Sequence, residues 1–386
     1  MDLRFTAAEQ AFRAEARAWL EANVPTESLG SGDTAEGFAK HLVWEKKLFE
    51  AGWSVVAWPV KYGGRGASLI EWLIFEEEYY RAGAPARVTQ NGIFLLAPTL
   101  FECGTEEQKD SLLKKIASAD QLWCQGWSEP NAGSDLAAGR STARRVEGGW
   151  RLSGQKTWAT RGAFCDAFFG LFRTDPDSQR HKGLTYFMAP LKGEGVTVRP
   201  VDRLDGDQGF AEIFLDDCFV PDDMVIGQVN QGWNVAMSTT STERGLSLRS
   251  PGRFMATAGR LVSLHRARLG SGDARTRDEI AKAWISAEAY RWHTYATAAR
   301  MMKHEAMGAE SSINKIFWSE MDLAMHESAI NLLGSSAELY EGAPGAEDDG
   351  GWMKGFMFAL AGPIYAGTNE IQRNIVAERV LGLPKG

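Results

Sequence analysis

The sequence predicts an α+β chain in three parts: a helical domain over residues 1–120, a β-barrel domain over 121–228 and a helical bundle over 229–386. Three observations carry this. Apolar residues recur at helical spacing through most of the first third, short runs broken by Gly, Asp and Pro fill the middle, and helical periodicity returns beyond Pro221. A chain of 386 residues also exceeds the size at which one hydrophobic core keeps growing.

The first helix is signalled by Thr6 and Glu9, spaced as a capping box in which the hydroxyl and the carboxylate each satisfy a free backbone N–H. Phe12, Ala16 and Leu20 follow at helical spacing. Residues 25–37 read as a loop, and residues 38–51, 69–82 and 106–118 as further helices. The run Val55-Val56-Ala57-Trp58-Pro59 leads into Tyr62-Gly63-Gly64-Arg65-Gly66 and a helix, imitating a dinucleotide-binding turn. It lacks the third glycine and the strand–helix–strand setting, so a loop is predicted. Strands are expected at 150–153, 167–172, 184–188, 196–199 and 212–215, with residues 148–172 forming a strand pair. The later helices should break near 270–273 and 342–351, where glycines and acids cluster.

Composition narrows the function. The net charge of -8, with Lys and Arg interspersed among acids, gives no basic stripe and argues against nucleic acid. Cys103, Cys124, Cys165 and Cys218 are far apart, and the six histidines show no ligand spacing, so neither a disulfide framework nor a metal site is expected. Met1-Asp2-Leu3-Arg4-Phe5-Thr6 has no basic region followed by an apolar core, and no apolar run reaches the ~20 residues of a membrane span. A cytoplasmic protein is expected.

The most informative segments are Gly126-Trp127-Ser128-Glu129-Pro130-Asn131-Ala132-Gly133-Ser134-Asp135 and Gly154-Gln155-Lys156-Thr157-Trp158-Ala159-Thr160. A loop dense in Gly, Pro and Ser can bring backbone N–H groups and short hydroxyls against a polar or anionic ligand. Together with Gly367-Thr368-Asn369-Glu370-Ile371-Gln372-Arg373-Asn374 near the end, they resemble in order and spacing the acyl-CoA dehydrogenase family, over nearly the whole chain. The resemblance implies FAD as cofactor, an acyl-CoA substrate and an electron-transferring flavoprotein as electron acceptor.

The resemblance also assigns residues. Gln125, Trp127, Ser128, Gly133 and Ser134 would contact the flavin ring, and Ser134 would lie beside the CoA thioester as well. Trp158 would flank the ring and Thr160 hydrogen-bond to it, although a Trp in a strand is by itself an ordinary core residue. Thr368 and Glu370 would reach the other half of FAD, as would Asn331 and Gly334 in a segment reading Asn331-Leu332-Leu333-Gly334-Ser335.

Removing the elements of H₂ from a saturated thioester requires a base for the α-proton and an acceptor for the β-hydride. Desolvation makes a carboxylate a stronger base, and hydrogen bonds to the thioester oxygen stabilise enolate character as it develops. Many family members place that Glu immediately before the C-terminal Gly-Thr, where this chain has Ala366. Others, including isovaleryl-CoA, long-chain and several steroid side-chain dehydrogenases, carry it in a Glu-Arg pair on an early helix of the C-terminal domain. Thr242-Glu243-Arg244-Gly245 matches that place, so Glu243 is the expected base and Arg244 positions it or binds substrate. The methyl group at 366, with Gly245 and Ser247 slimming the facing helix, suggests room for a bulky or branched acyl chain.

Two departures bear on assembly. The family's Arg-x-x-Phe-Gly stretch, which pairs with the FAD pyrophosphate of a neighbouring subunit, is matched only by Arg266-Ala267-Arg268-Leu269-Gly270, and the Gln-x-x-Gly-Gly element keeps an amide and one glycine. A homo-oligomer, or a heterotetramer with a related subunit such as bacteria use on bulky or steroid-derived acyl-CoAs, is expected. Two rival readings are a flavin oxidase or monooxygenase on the same scaffold, and a non-catalytic subunit that completes a partner's flavin site.

Overall fold

The computed structural model describes residues 4–243, 250–269, 274–303, 308–309 and 311–385, with the backbone only at 241–243 and 269. The chain forms two compact units, neither of them contiguous in sequence. One comprises Met1–Val24, Ser68–Ala84 and Arg244–Gly386, and the other Pro25–Ala67 and Pro85–Glu243.

The first unit is helical. Helix α1 (Ala7–Asn23) opens on the expected capping box of Thr6 and Glu9 and buries Phe12, Ala16 and Leu20. In the second unit lies α2 (Ala35–Glu50); in the first lies α3 (Leu69–Arg81), opened by a second capping box from Ser68 and Glu71. Helices α4 (Ala97–Cys103), α5 (Glu106–Ala117) and α6 (Gly232–Glu243) belong to the second unit. Helices α7 (Pro251–Leu269), α8 (Ala274–Met301), α9 (Ser311–Leu333), α10 (Gly351–Ala359) and α11 (Asn369–Ile375) complete the first.

Within the helical unit α3 packs on α1, α7 and α8, and α7, α8 and α9 form a bundle around Phe254, Tyr290, Trp318 and Met321. Gly252 permits the close approach of α7 to α3, because a Cβ there would stand 2.6 Å from the Glu76 carbonyl oxygen. Charge ties the same helices together: buried Glu78 accepts hydrogen bonds from Arg13, Arg17 and Arg81, and Glu77 from Arg13 and Arg291. The break expected near 342–351 is present, with Asp348 and Asp349 at φ 52° and 50°. The break expected near 270–273 lies outside the described residues.

The second unit contains an eight-stranded sheet: β1 (Trp123–Gln125), β2 (Thr142–Val146), β3 (Gly149–Thr160), β4 (Ala167–Arg173), β5 (Leu184–Pro190), β6 (Val196–Val201), β7 (Phe210–Pro221) and β8 (Val225–Ile226). The order is β6-β7-β3-β2-β4-β5-β8, with β1 parallel to β4. Residues from β2 to β8, including Leu152, Phe172, Phe187, Ile213 and Val220, share one core, on which Val196 and Val198 of β6 and Val225 of β8 pack. The strands thus share one interior, and the described ladders do not join the end strands of the sheet. The strand pair expected over 148–172 is corrected: β3 and β4 are both strands, but β2 lies between them and β3 pairs with β7. Short hairpin turns dominate sequence spacing, whereas this order is set by long-range packing. Residues 60–62 form a short 3-10 turn and no strand enters the glycine-rich segment, as its sequence predicts.

Candidate active site

Strand β1 delivers the Ser- and Gly-rich loop. Gly126 donates its N–H to the Phe169 carbonyl at 2.9 Å, and only glycine fits, since a Cβ would lie 2.6 Å from the Phe168 ring. Beyond it, Glu129 and Ala132 exchange two backbone hydrogen bonds of 3.0 Å and close a tight turn over Pro130 and Asn131. Ser128 is half-buried, Gly133 and Ser134 are exposed, and a Cβ at Gly133 would meet nothing within 4 Å.

The second segment is joined to the first residue by residue. Thr157 donates its N–H to the Ser128 carbonyl at 2.9 Å, and Lys156 Nζ donates to Glu129 Oε1 at 2.7 Å. A bulge between Lys156 and Ala159 breaks the β3–β7 register, and Trp158 takes φ +60° in it. Bulges re-aim side chains, and a left-handed aromatic stores strain. Trp158 is turned outward with 59 % of its surface exposed, edge-on to Phe210 at 5.7 Å, and is not the core residue its strand setting suggests. Half-buried Thr160 ends β3. The next residue, Arg161, also at positive φ, donates to Asp33, which Arg203 holds from the other side. Burial would raise the Asp33 pKa, but the two guanidinium groups outweigh it and hold it low.

Two buried donors of these two segments, Gln125 Nε2 and Trp127 Nε1, have no hydrogen-bond partner among the described residues. The Trp127 ring stands edge-on to Tyr186 at 6.2 Å. Unmatched donors in segments that also carry exposed Ser134 and an exposed indole fit an acceptor-rich aromatic ring.

Helix α6 ends at Glu243, whose side chain is outside the described residues, as is all of Arg244, together with Gly245 and Ser247. One turn earlier α6 is anchored firmly. Thr239 Oγ1 lies 2.8 Å from Thr99 Oγ1 and 3.2 Å from the Tyr186 hydroxyl, and Ser238 donates to Glu102.

In the helical unit, Ala366 and Gly367 take φ +57° and +80°, turning the chain so that Thr368 caps α11 by accepting from the Ile371 N–H at 3.3 Å. Buried Gln372 donates to the Ala366 and Gly367 carbonyls, and Asn369 Oδ1 accepts from Lys315 Nζ at 2.7 Å. Glu370 is exposed in the first turn, its pKa lowered by its own backbone N–H and the Thr368 hydroxyl. Asn331 is exposed near the end of α9, and Gly334 follows at φ +55° with open space around it. Arg266 and Arg268 lie in the last turn of α7. The sequence reading missed Glu129, Lys156, Lys315 and Gln372, which hold the two turns through buried hydrogen bonds that no local pattern signals.

Family models for the N-terminal, middle and C-terminal domains of acyl-CoA dehydrogenases match residues 6–120, 124–218 and 230–381. Acyl-CoA dehydrogenase IpdE1 of Mycolicibacterium smegmatis is 38% identical, over 97% of this chain and 98% of its own. This chain belongs to the acyl-CoA dehydrogenase family. Acyl-CoA dehydrogenases are FAD-dependent oxidoreductases, and the residues of the cradle suit that cofactor. Two solved structures align over the full length of both chains: the Tcur3481-Tcur3483 steroid ACAD at 28% identity and a TM-score of 0.90, and the ChsE4-ChsE5 complex from Mycobacterium tuberculosis at 27% and 0.85. Among the described residues of this acyl-CoA dehydrogenase no helix is long and apolar enough to cross a membrane, and no cluster of His, Cys, Asp or Glu is placed to hold a metal.

Proposed function

We propose that this acyl-CoA dehydrogenase oxidises a bulky, branched or steroid-derived acyl-CoA thioester to the 2,3-enoyl-CoA, with Glu243 as base, and that its electrons pass to an electron-transferring flavoprotein. FAD, when bound, supplies the acceptor for the β-hydride. The observation that carries the choice of base is Ala366, a methyl-bearing residue at φ +57° immediately before Gly367 and Thr368, where it can take no proton. Glu243 then removes the α-proton, and Arg244 orients it or holds substrate. Gln125, Trp127, Ser128, Gly133, Ser134, Trp158 and Thr160 hold the flavin ring, Ser134 also faces the thioester, and Asn331, Gly334, Thr368 and Glu370 serve the remainder of FAD. The steroid ACAD among the similar structures supports a bulky substrate, and the similar structure named as the ChsE4-ChsE5 complex supports an assembly with a related subunit.

Anaerobic titration of the yellow protein with butyryl-CoA and with branched and steroid side-chain CoA thioesters tests the substrate class. The bulky thioesters should bleach the flavin at higher kcat/KM; a clear preference for butyryl-CoA overturns it. Rapid O₂ consumption during turnover would instead mark an oxidase.

A further inference from the structure

Beneath the cradle lies a buried ion pair with no part in the chemistry above. The Lys156 and Glu129 side chains are 1% and 9% exposed. Lys156 Nζ donates to Glu129 Oε1 at 2.7 Å and to the Leu171 carbonyl of β4 at 2.8 Å, and it stands 4.6 Å from the centre of the Phe172 ring. Glu129 accepts further hydrogen bonds from the backbone N–H groups of Arg140, at 2.6 Å, and Ser141, at 3.0 Å. Burial alone would raise the carboxyl pKa, but Lys156 and the N–H groups outweigh it and keep it low, while burial lowers that of the lysine.

A buried pair gives little net stability, because desolvation offsets the attraction, yet losing one partner strands a charge. Such a pair is better suited to fixing one geometry. Here it joins the Ser128–Ser134 loop, the start of β2, β3 and β4 at one point. Its two residues flank the Ser128–Thr157 backbone bond, one position from Ser128 and two from Trp158.

We propose that Glu129 and Lys156 are positioning residues that preform the flavin cradle and set how tightly FAD is retained. This rests on reading residues 125–134 and 158–160 as that cradle. Neither side chain touches the flavin in this account; each acts through the loop and the bulge that it holds in place.

The test strips FAD from the purified protein and measures rebinding by quenching of flavin fluorescence, in wild type, Glu129→Gln, Lys156→Gln, the double variant and the milder Lys156→Arg. Each Gln single should weaken FAD binding about 10- to 100-fold, the usual range for losing a buried partner that orients a ligand-binding group, and should change the band shape of the bound flavin. The double variant, which strands no charge, should bind FAD more tightly than the additive expectation, and Lys156→Arg should lose less than Lys156→Gln. Singles that bind FAD within twofold of wild type with an unaltered spectrum would overturn the proposal, as would strictly additive losses. Should the singles not fold, Lys156→Arg and hydrogen exchange of the Thr157 amide in the stripped wild type decide: a protected amide supports a preformed cradle, and free exchange contradicts it. Trp158→Phe separates the two readings. If it perturbs the flavin spectrum while Glu129 and Lys156 variants do not, only this inference fails; if it has no effect, the cradle reading fails as well.

Discussion

Ser128 and Thr157, 29 positions apart in sequence, are joined by one backbone hydrogen bond of 2.9 Å, so the two motifs that mark this chain as a flavoprotein form a single surface. Trp158 follows directly. Its exposure and left-handed backbone are the features that a ligand surface would justify and a free-standing strand would not.

Trp158→Gly should separate binding from folding. A non-glycine residue in the left-handed region costs about 1 kcal/mol or more, so glycine at φ +60° should leave the thermal midpoint of the FAD-free protein unchanged or raised. FAD affinity should fall, read by flavin fluorescence. A lower apo midpoint with normal affinity would make Trp158 a structural residue.

Acid should dissolve the Glu78 cluster. Burial would raise the Glu78 pKa, but hydrogen bonds from Arg17, Arg81 and Arg13 pull it down to about 2 from an ordinary 4.5. A carboxyl depressed in the folded state contributes stability that is complete above pH 4.5 and is lost as pH falls towards 2. Glu78→Gln should therefore cost on the order of 2 kcal/mol at neutral pH, after allowing for screening around half-exposed Arg17 and Arg81. Urea midpoints measured from pH 7 to 2 should converge for the two proteins; a constant gap would contradict this.

Moving the base back is informative. Ala366 already holds φ +57° with a Cβ, so a larger L residue adds no new backbone strain there. Ala366→Glu in a Glu243→Gln background should restore part of the flavin reduction lost in the single variant, most for short acyl-CoAs. No recovery with any chain length would count against position 366 facing the α-carbon.

FAD occupancy should depend on assembly. If the weak matches at Arg266–Gly270 and Asn331–Ser335 reflect contacts that a partner chain supplies, FAD should be lost during purification and regained on adding a related subunit, because a ligand that binds only the assembled state stabilises it. Full occupancy in a homo-oligomer would remove the need for a partner.

The helices were legible because their signals are local: Thr6 with Glu9 marks α1, and Phe12, Ala16 and Leu20 mark its buried face. The pairing of α3 with α7 was not, since it depends on Gly252 meeting a carbonyl 176 positions earlier. Motif order likewise singled out Ser128, Trp158 and Thr368 as candidates, whereas Lys156 and Gln372 act by reaching buried partners that no spacing announces. Strand order failed for the same reason, β2 standing between β3 and β4.

Stopped-flow reduction of the enzyme-bound flavin by an accepted acyl-CoA, wild type against Glu243→Gln, tests the central claim most directly. General bases contribute about 10²–10⁴-fold, so the variant should keep FAD and bind the thioester yet reduce flavin at least a hundredfold more slowly. Near-normal reduction by Glu243→Gln would contradict the assignment of the base.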